Sequence, residues 1–179
     1  MLIRTLVCGL MAAARLIELA YSRRNLKPQG PAREGDWTRR TFPLIVALHT
    51  VVIGGVLLFG GRRPRRAWLA LLLAAQPLRW WVLATLGARW NARGAVAENL
   101  SIARDGPYAY VRHPNYSIVA VELWALPAAF GLPGLALAAG VVNAALLAVR
   151  VREEEALLMQ RPGYAEHFRS RPRFIPFLV

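Results

Sequence analysis

The feature that most constrains this chain is the alternation of long apolar runs with short arginine-rich segments. A helix needs roughly 20 mostly apolar residues to cross a bilayer core of about 30 Å. Five runs approach that length: 2–20, 42–60, 67–86, 115–130 and 132–149. The alternation predicts an all-α, polytopic integral membrane protein with about five transmembrane helices, of which the last two form a tight hairpin turning at Gly131, Pro133 and Gly134.

The net charge of the chain supports the same interpretation. A formal charge of +13 indicates a nucleic-acid partner in a soluble protein, but a soluble binder of this size would not be 56% hydrophobic. With five spans, sixteen basic residues fall on one side of the membrane, in the segments 22–41, 87–114 and 150–179. Basic loops are typically cytoplasmic, so we predict an outside N-terminus, a cytoplasmic C-terminus and no nucleic-acid partner.

Several classes of protein are excluded by composition. The apolar fraction excludes a disordered chain, and Cys8, the one cysteine, excludes both a disulfide framework and a cysteine-rich metal site. The length fits a single domain, residues 1–179. Because no A-x-A-like cleavage site follows the first apolar run, we expect that run to be a retained helix rather than a signal peptide.

Polar side chains inside the apolar runs are costly in a membrane and are functional candidates for that reason. Arg15 and Glu18 are three residues apart and can pair on one helix face. For each such residue taken alone, hydrogen bonding between helices is the expected role. The others are His49, Gln76, Arg79, Glu122 and Asn143.

The densest group of chemically active side chains lies just before the fourth run, in Gly106-Pro-Tyr-Ala-Tyr-Val-Arg-His-Pro-Asn-Tyr116. Pro114 disfavours helix at His113 and suits the first turn of the helix that follows. His113 is therefore predicted at a helix N-terminus, where free N–H groups favour an anion such as a carboxylate. The alternative is an aromatic belt at the membrane interface.

A second cluster follows the fifth run, in Arg150-Val-Arg-Glu-Glu-Glu155. On a continuing helix Arg150 and Glu154 share a face, whereas Glu155 lies one step round. The alternative to a site is a solvated, charged helix end. As a site, the carboxylates would bind a cationic group, and Arg150 would orient an acidic group of a substrate.

These clusters resemble the isoprenylcysteine carboxyl methyltransferase family of integral membrane methyltransferases. The family's G-[PV]-Y-x-x-x-R-H-P-x-Y segment matches 106–116, and its R-x-x-x-E-E segment matches Arg150, Glu154 and Glu155. An aromatic-rich tail follows here as in the family, from Tyr164 to the segment Phe174-Ile-Pro-Phe-Leu.

The first half of the chain resembles a bacterial branch of the same family. The similar stretches are Arg15-Leu-Ile-Glu-Leu-Ala-Tyr-Ser-Arg-Arg-Asn25, Leu78-Arg-Trp-Trp and Thr85-Leu-Gly-Ala-Arg-Trp-Asn-Ala-Arg93. Members of that branch are thought to O-methylate alkylresorcinol or alkylpyrone lipids. The resemblance implies a location in a bacterial inner membrane.

The family resemblance implies S-adenosylmethionine as methyl donor, bound in a pocket that faces the cytosol, while a lipophilic acceptor enters from the bilayer. The absence of a G-x-G-x-x-G motif agrees with binding outside a Rossmann fold. Residues 1–86 would form three N-terminal helices, and 87–179 the cofactor-binding loop, the hairpin and the catalytic segment. No metal is implied. The implied catalytic residues are Arg150, Glu154 and Glu155, and the implied cofactor-binding residues are His113, Pro114, Asn115, Tyr116, Tyr108, Arg112, Leu100, Arg93 and Val96.

Other functions stay open at this point. The acceptor could be an alkylresorcinol- or alkylpyrone-type hydroxyl, a prenylated cysteine carboxylate, a phospholipid amine or a small thiol. A related family, the membrane steroid reductases, shares the late helical architecture and uses a nicotinamide cofactor. A non-catalytic lipid-binding membrane protein would explain the composition and topology, but not the joint occurrence of His113 with Arg150 and Glu154. The oligomeric state is not predicted.

Overall fold

The structure is a computed structural model that describes residues 1–27 and 32–176. These residues are mostly helical, as the sequence predicts. They form α1 (Leu2–Leu26), α2 (Asp36–Phe59), α3 (Arg66–Leu86), α4 (Pro114–Ala129), α5 (Pro133–Leu158) and the short α6 (Tyr164–Phe168). Two 3-10 turns cover Gly87–Arg89 and Gly106–Ala109, and the two-residue strands β1 (Ala32–Arg33) and β2 (Val96–Ala97) pair antiparallel.

Within the described ranges, three helices are long and apolar enough to cross a membrane: Asp36–Phe59, Arg66–Arg89 and Pro133–Leu158. They support an integral membrane protein. Helix α4 has 16 residues, which at 1.5 Å per residue gives about 24 Å, less than a bilayer core of about 30 Å. The predicted number of five spans therefore stays a prediction.

The turn between α4 and α5 lies where the sequence predicts it. Helix α4 ends at Ala129 and α5 begins at Pro133. Gly131 adopts a φ of +78°, a left-handed conformation that glycine accepts without steric cost. Helix α5 then continues without interruption to Leu158, so the charged segment 150–155 lies on the same rigid helix as the apolar run before it.

The start of α2 differs from the sequence-based prediction. The helix begins at Asp36, ahead of the apolar run that starts at Phe42. The Glu153 carboxylate accepts hydrogen bonds from the backbone N–H groups of Trp37 at 3.1 Å and Thr38 at 2.7 Å. These donors have no partner within the helix, so a carboxylate from α5 stabilises the polar first turns of α2.

The connecting segments meet at two opposite ends of the bundle. At one end, called here the basic end, Asn25 Nδ2 donates to the Trp90 carbonyl at 2.7 Å, and Arg161 Nη2 donates to the Leu100 carbonyl at 2.8 Å. At the other end the Gly61 N–H donates to the Phe130 carbonyl at 2.7 Å. The segments 22–27, 32–41, 87–114 and 150–176 thus lie at the basic end.

The apolar core lies between the helices, and a second set of apolar side chains points outward. The fully buried side chains include Phe130, Leu72, Leu126, Val52 and Val56. The outer helix faces carry leucine, isoleucine, valine and tryptophan that are about half exposed or more. An apolar outer surface suits contact with lipid. The outward residues include Leu6, Leu10, Val51, Leu58, Leu73, Trp80 and Val141.

Candidate active site

A cavity of about 540 Å³ runs from the basic end into the helix bundle. Its polar end is lined by the segment 89–103, the N-terminal turn of α4 and the last turns of α5. Its apolar part is lined by side chains of α1 and α2, namely Leu16, Leu19, Ile45, Val46 and Ile53. A cavity of this size suits a small-molecule site.

A hydrogen-bonded chain of three side chains forms the wall at the polar end. Arg150 Nε donates to the Tyr116 hydroxyl oxygen at 2.8 Å, and the Tyr116 hydroxyl donates to the Glu154 carboxylate. Arg150 Nη2 donates to the Ala92 carbonyl at 2.6 Å. Among the residues that the structure describes, Arg150 Nη1 has no hydrogen-bond acceptor and Glu154 Oε1 has no hydrogen-bond donor. The chain therefore holds one open cationic donor and one open anionic acceptor in a fixed arrangement.

The loop that receives Arg150 depends on a glycine. Gly94 has a φ of +71°, and a Cβ added there would lie 2.8 Å from Arg150 Nη2. Asn91 fastens this loop, because its Oδ1 accepts from the Ala95 N–H at 2.9 Å and its Nδ2 donates to the Ala95 carbonyl at 2.8 Å. The backbone can approach the guanidinium so closely only where no side chain intervenes.

His113 lies at the N-terminus of α4, as the proline after it predicts. Its ring stacks on Tyr116 with 5.3 Å between ring centroids. On its other side Nε2 lies 3.2 Å from Glu155 Oε1, and Arg173 Nη2 lies 2.8 Å from Glu155 Oε2. Glu155 is thus occupied by ion pairs behind His113 and does not line the cavity.

The C-terminal tail lies against the segment before α4. The Arg112 N–H donates to the Pro172 carbonyl at 3.0 Å, and the His113 N–H donates to the Arg173 carbonyl at 2.8 Å. These bonds satisfy backbone donors that precede the helix and fix the tail across the polar end. The last residues of the predicted tail motif, Phe177 and Leu178, lie outside the described residues.

Two tyrosines at the polar end are held in their neutral form. Burial, followed by the nearby Glu154 carboxylate, raises the pKa of Tyr108 well above its usual value. Burial first, and the carboxylates of Glu154 and Glu155 next, raise the pKa of Tyr164. Both line the cavity, so both phenols are available as hydrogen-bond donors rather than as bases.

The cavity brings together most of the residues that the sequence singles out, but not all. Pro114 starts α4 and Glu155 lies behind His113. Arg93 is 42% exposed and pairs with Glu34 at 2.9 Å. None of these three lines the cavity. The residues that do are Arg150, Glu154, His113, Asn115, Tyr116, Tyr108, Arg112, Leu100 and Val96.

The sequence resemblance placed the loop from Arg93 to Val96 along the pocket but did not show that Gly94 has to be a glycine, and it missed Tyr164 as a cavity-lining residue. Gly94 ends the segment Asn-Ala-Arg-Gly, and a glycine after polar residues is a turn signal that could have marked it. Tyr164 belongs to the aromatic tail noted in the sequence. No local signal shows that it faces the same cavity as Arg150.

Unpartnered polar atoms in the cavity wall test whether S-adenosylmethionine fits. Asn115 Oδ1, Trp90 Nε1 and the Tyr164 hydroxyl are buried and have no hydrogen-bond partner among the described residues. With Glu154 they supply both acceptors and donors. A ligand that carries an ammonium group, a carboxylate and hydroxyls can use both, so the residues present fit this molecule.

The fold and the site together define a helical integral membrane protein with a cavity that is polar at one end and apolar within the bundle. Comparison with known proteins gives its family. Residues 68–160 match the isoprenylcysteine carboxyl methyltransferase (ICMT) family. The uncharacterized protein YpbQ of Bacillus subtilis (strain 168) is 31% identical over 165 residues, which cover 87% of this chain and 96% of that protein.

This chain belongs to the isoprenylcysteine carboxyl methyltransferase family. The family resemblance seen in the sequence is thereby confirmed at this level. Membership indicates a membrane methyltransferase that acts on a lipophilic substrate, and members of the family use S-adenosylmethionine.

Proposed function

We propose that this protein transfers a methyl group from S-adenosylmethionine to an oxygen atom of a lipophilic acceptor. The observation that carries the proposal is the open donor of buried Arg150, placed where a polar cofactor-sized space continues into an apolar space between helices. In such a cavity a soluble methyl donor could enter through the polar end and a lipid acceptor through the apolar part, and the two could meet beside Arg150.

The polar end is proposed as the donor site. S-adenosylmethionine supplies, when bound, a methyl group on a positively charged sulfur. Glu154 and Asn115 Oδ1 would accept hydrogen bonds from its ammonium group, and Tyr164 would donate to a hydroxyl or carboxylate. His113 would line the site, with Glu155 and Arg173 holding its ring in place. Tyr108, Leu100 and Val96 would complete the walls.

The apolar part is proposed as the acceptor site, with Arg150 at its boundary. A guanidinium stabilises negative charge on an acceptor oxygen, which favours a carboxylate, phenol or enol over an amine. A carboxylate is already a nucleophile, whereas a phenol has a pKa near 10 and gains from a nearby cation or base. Holding donor and acceptor in line can supply about 7–11 kcal/mol of the barrier reduction.

Two acceptor classes follow from this argument: an alkylresorcinol- or alkylpyrone-type hydroxyl and an isoprenylcysteine-like carboxylate. The resemblance of the first half to the bacterial branch favours the hydroxyl. The basic end would face the cytoplasm of a bacterium, since basic residues concentrate there. The chain would act as one domain with five helices around the cavity.

The proposal is tested with purified protein, radiolabelled S-adenosylmethionine and lipid extracts. We expect Arg150→Ala to lose nearly all methyl transfer while it inserts and unfolds like the wild type. Arg152→Ala is the matched control, because Arg152 is an exposed arginine two residues further along α5. Near-normal transfer by Arg150→Ala would refute the proposed role of Arg150.

Two further measurements separate the donor site from the acceptor. We expect His113→Ala to bind S-adenosylmethionine more weakly, and unchanged affinity would remove His113 from the site. Mass spectrometry of lipids from cells with and without the gene should show a product heavier by one methyl group. A mass shift on a phospholipid amine or a thiol would replace the proposed acceptor class.

A further inference from the structure

A group of charged side chains lies inside the bundle, away from the Arg150 chain. Arg79 Nη2 pairs with Glu18 Oε2 at 2.7 Å, and Arg15 Nη2 pairs with Glu18 Oε1 at 2.8 Å. Arg15 Nη1 lies 3.3 Å from Glu122 Oε2, and Gln76 Nε2 donates to Glu122 Oε1 at 3.0 Å. These five residues come from α1, α3 and α4 and are called here the buried ion cluster.

The buried ion cluster forms part of the wall of the cavity. Arg15, Glu18 and Arg79 all line it. Charged side chains in a membrane interior are costly. If the cluster served only to join the helices, its members would satisfy all of one another's hydrogen-bonding groups. They do not do so fully, since Arg79 Nη1 and Arg15 Nε are buried without a hydrogen-bond partner among the described residues. The Arg79 side chain is only 6% exposed.

Two neutral groups on other helices, His49 on α2 and Asn143 on α5, also line the cavity. His49 Nδ1 lies 2.8 Å from the Ile45 carbonyl, so Nδ1 carries the proton and Nε2 of the neutral ring is an acceptor. Asn143 is 4% exposed, lines the cavity and forms no hydrogen bond to a described residue. The cavity wall therefore contains open donors of the buried ion cluster together with open acceptors on α2 and α5.

The separation of this region from Arg150 follows from helix geometry. Asn143 precedes Arg150 by seven residues on α5. Arg15 precedes Ser22 by the same number on α1, and the Ser22 hydroxyl oxygen accepts from the Ala92 N–H beside Arg150. Seven residues correspond to about 10 Å of helix. The same distance is spanned, in order of magnitude, by a six-membered ring that carries two oxygens, when a hydrogen bond of about 3 Å is added at each oxygen.

We propose that the buried ion cluster, with His49 and Asn143, is a second polar subsite that binds an uncharged hydroxyl or carbonyl of the methyl acceptor. The two arginines and two glutamates cancel in charge, so the subsite has no net charge for an ion to neutralise. The acceptor is thus a lipophilic molecule with two oxygen functions, one methylated beside Arg150 and one held at the cluster. This inference rests on the proposed function.

The test measures equilibrium binding by protein in lipid nanodiscs. The probes are two alkylated benzenes with the same chain, one with two meta hydroxyls and one with a single hydroxyl. We expect the wild type to bind the two-hydroxyl probe about tenfold more tightly, which corresponds to one satisfied buried hydrogen-bonding group. The affinity ratio should fall to about one in His49→Leu and in Arg79→Met.

His49→Leu leaves every ion pair of the cluster intact and removes only the hydrogen bond from His49 Nδ1 to the Ile45 carbonyl, and thermal unfolding of the same preparation checks that it is folded. Arg39→Met is the control, because Arg39 is exposed, pairs with Asp36 and does not line the cavity; its ratio should stay at the wild-type value. Equal affinity of the wild type for the two probes, or a preference that both cavity variants retain, would overturn the subsite.

Methylation of each of the two probes, measured on the same samples, tests the proposed function separately. Turnover by the wild type without any preference in binding would refute the subsite and leave the methyltransferase proposal standing. A preference in binding that His49→Leu abolishes, without turnover of either probe, would support a polar binding subsite at the cluster and contradict a hydroxyl as the methylated group.

Discussion

The three nitrogen atoms of the Arg150 guanidinium group point in three directions and differ in their partners. Nε is bonded to Tyr116 and Nη2 to the Ala92 carbonyl, while Nη1 has no partner among the described residues. A lysine in its place would carry the charge but could not make this planar, forked arrangement. This forked hydrogen-bonding geometry explains why an arginine, rather than any cation, lies at the junction of the two parts of the cavity.

The first prediction at this scale concerns Gly94. In Gly94→Ala the new Cβ would overlap the Arg150 guanidinium, and the φ of +71° is unfavourable for alanine. We expect a loss of about 1–3 kcal/mol in stability together with a fall in turnover, because either the loop or Arg150 has to move. Thermal unfolding and methyl transfer measured on the same preparation check this.

Gly9→Ala is the matched control for that prediction. No atom lies within 4 Å of a Cβ at this position, which is inside α1. Alanine is more favourable than glycine inside a helix, so this variant should be at least as stable as the wild type and fully active. Wild-type stability and turnover in Gly94→Ala would contradict the close packing of loop and guanidinium.

At the scale of the elements, three adjacent carboxylates on α5 have three different partners. Glu153 binds the first turns of α2, Glu154 binds Tyr116 in the cavity wall, and Glu155 pairs with His113 and the tail. Successive residues on a helix point about 100° apart, so each carboxylate reaches a different neighbour. The helical period of the sequence separates Glu154 from Glu155, but it does not identify the partner of any of the three carboxylates.

The prediction at this scale is that Glu153 contributes to stability and Glu154 to activity. Replacing Glu153 with alanine leaves two N–H groups of α2 and the Thr38 hydroxyl without their acceptor. We expect a cost of about 0.5–2 kcal/mol, typical of a lost helix cap, with activity of the remaining folded protein unchanged. Urea or thermal unfolding and turnover per folded molecule are the measurements.

Glu154→Gln is the comparison variant, and it should show the reverse pattern. Glutamine keeps the size of the side chain, so stability should change little, whereas turnover should fall with the loss of the carboxylate. If Glu153→Ala lost activity without losing stability, α2 would not depend on Glu153 as the structure indicates.

For the whole molecule, the contacts divide the connecting segments between two ends of one bundle. The basic end contains the segments before α2 and α4 and after α5, and the opposite end contains the α2–α3 and α4–α5 turns. The positive-inside rule then predicts that the basic end, with the polar end of the cavity, faces the cytoplasm. S-adenosylmethionine is a charged solute and would enter from that side.

We predict that the basic end of the bundle faces the cytoplasm and that the α2–α3 turn lies outside. In a Cys8→Ala background, we expect Arg63→Cys to react with a membrane-impermeant thiol reagent in intact cells. Ser170→Cys should react only after the membrane is opened. Both positions are exposed, and neither lines the cavity. Labelling of both positions in intact cells would contradict an odd number of spans between residues 63 and 170. The reverse pattern would contradict the proposed orientation.

The helices, their approximate bounds and the position of His113 follow from local signals in the sequence. These depend on apolar runs, on proline and on glycine, and such signals act over a few residues. Motif spacing also identified the family, because Arg150, Glu154 and the segment 106–116 lie at fixed intervals along the chain. The extension of α2 to Asp36 escaped prediction because its stabilising carboxylate is 117 residues away at Glu153.

The partners of the polar residues inside the apolar runs depend on how the helices pack. Arg79 and Glu18 are 61 residues apart in the chain, and no pattern along the sequence shows that they meet on the wall of the cavity that Arg150 also lines. Packing brings them together, because a buried charge in an apolar environment is stable only beside a partner that another helix supplies. The sequence determined which segments are helices, and the packing of those helices determined the cavity.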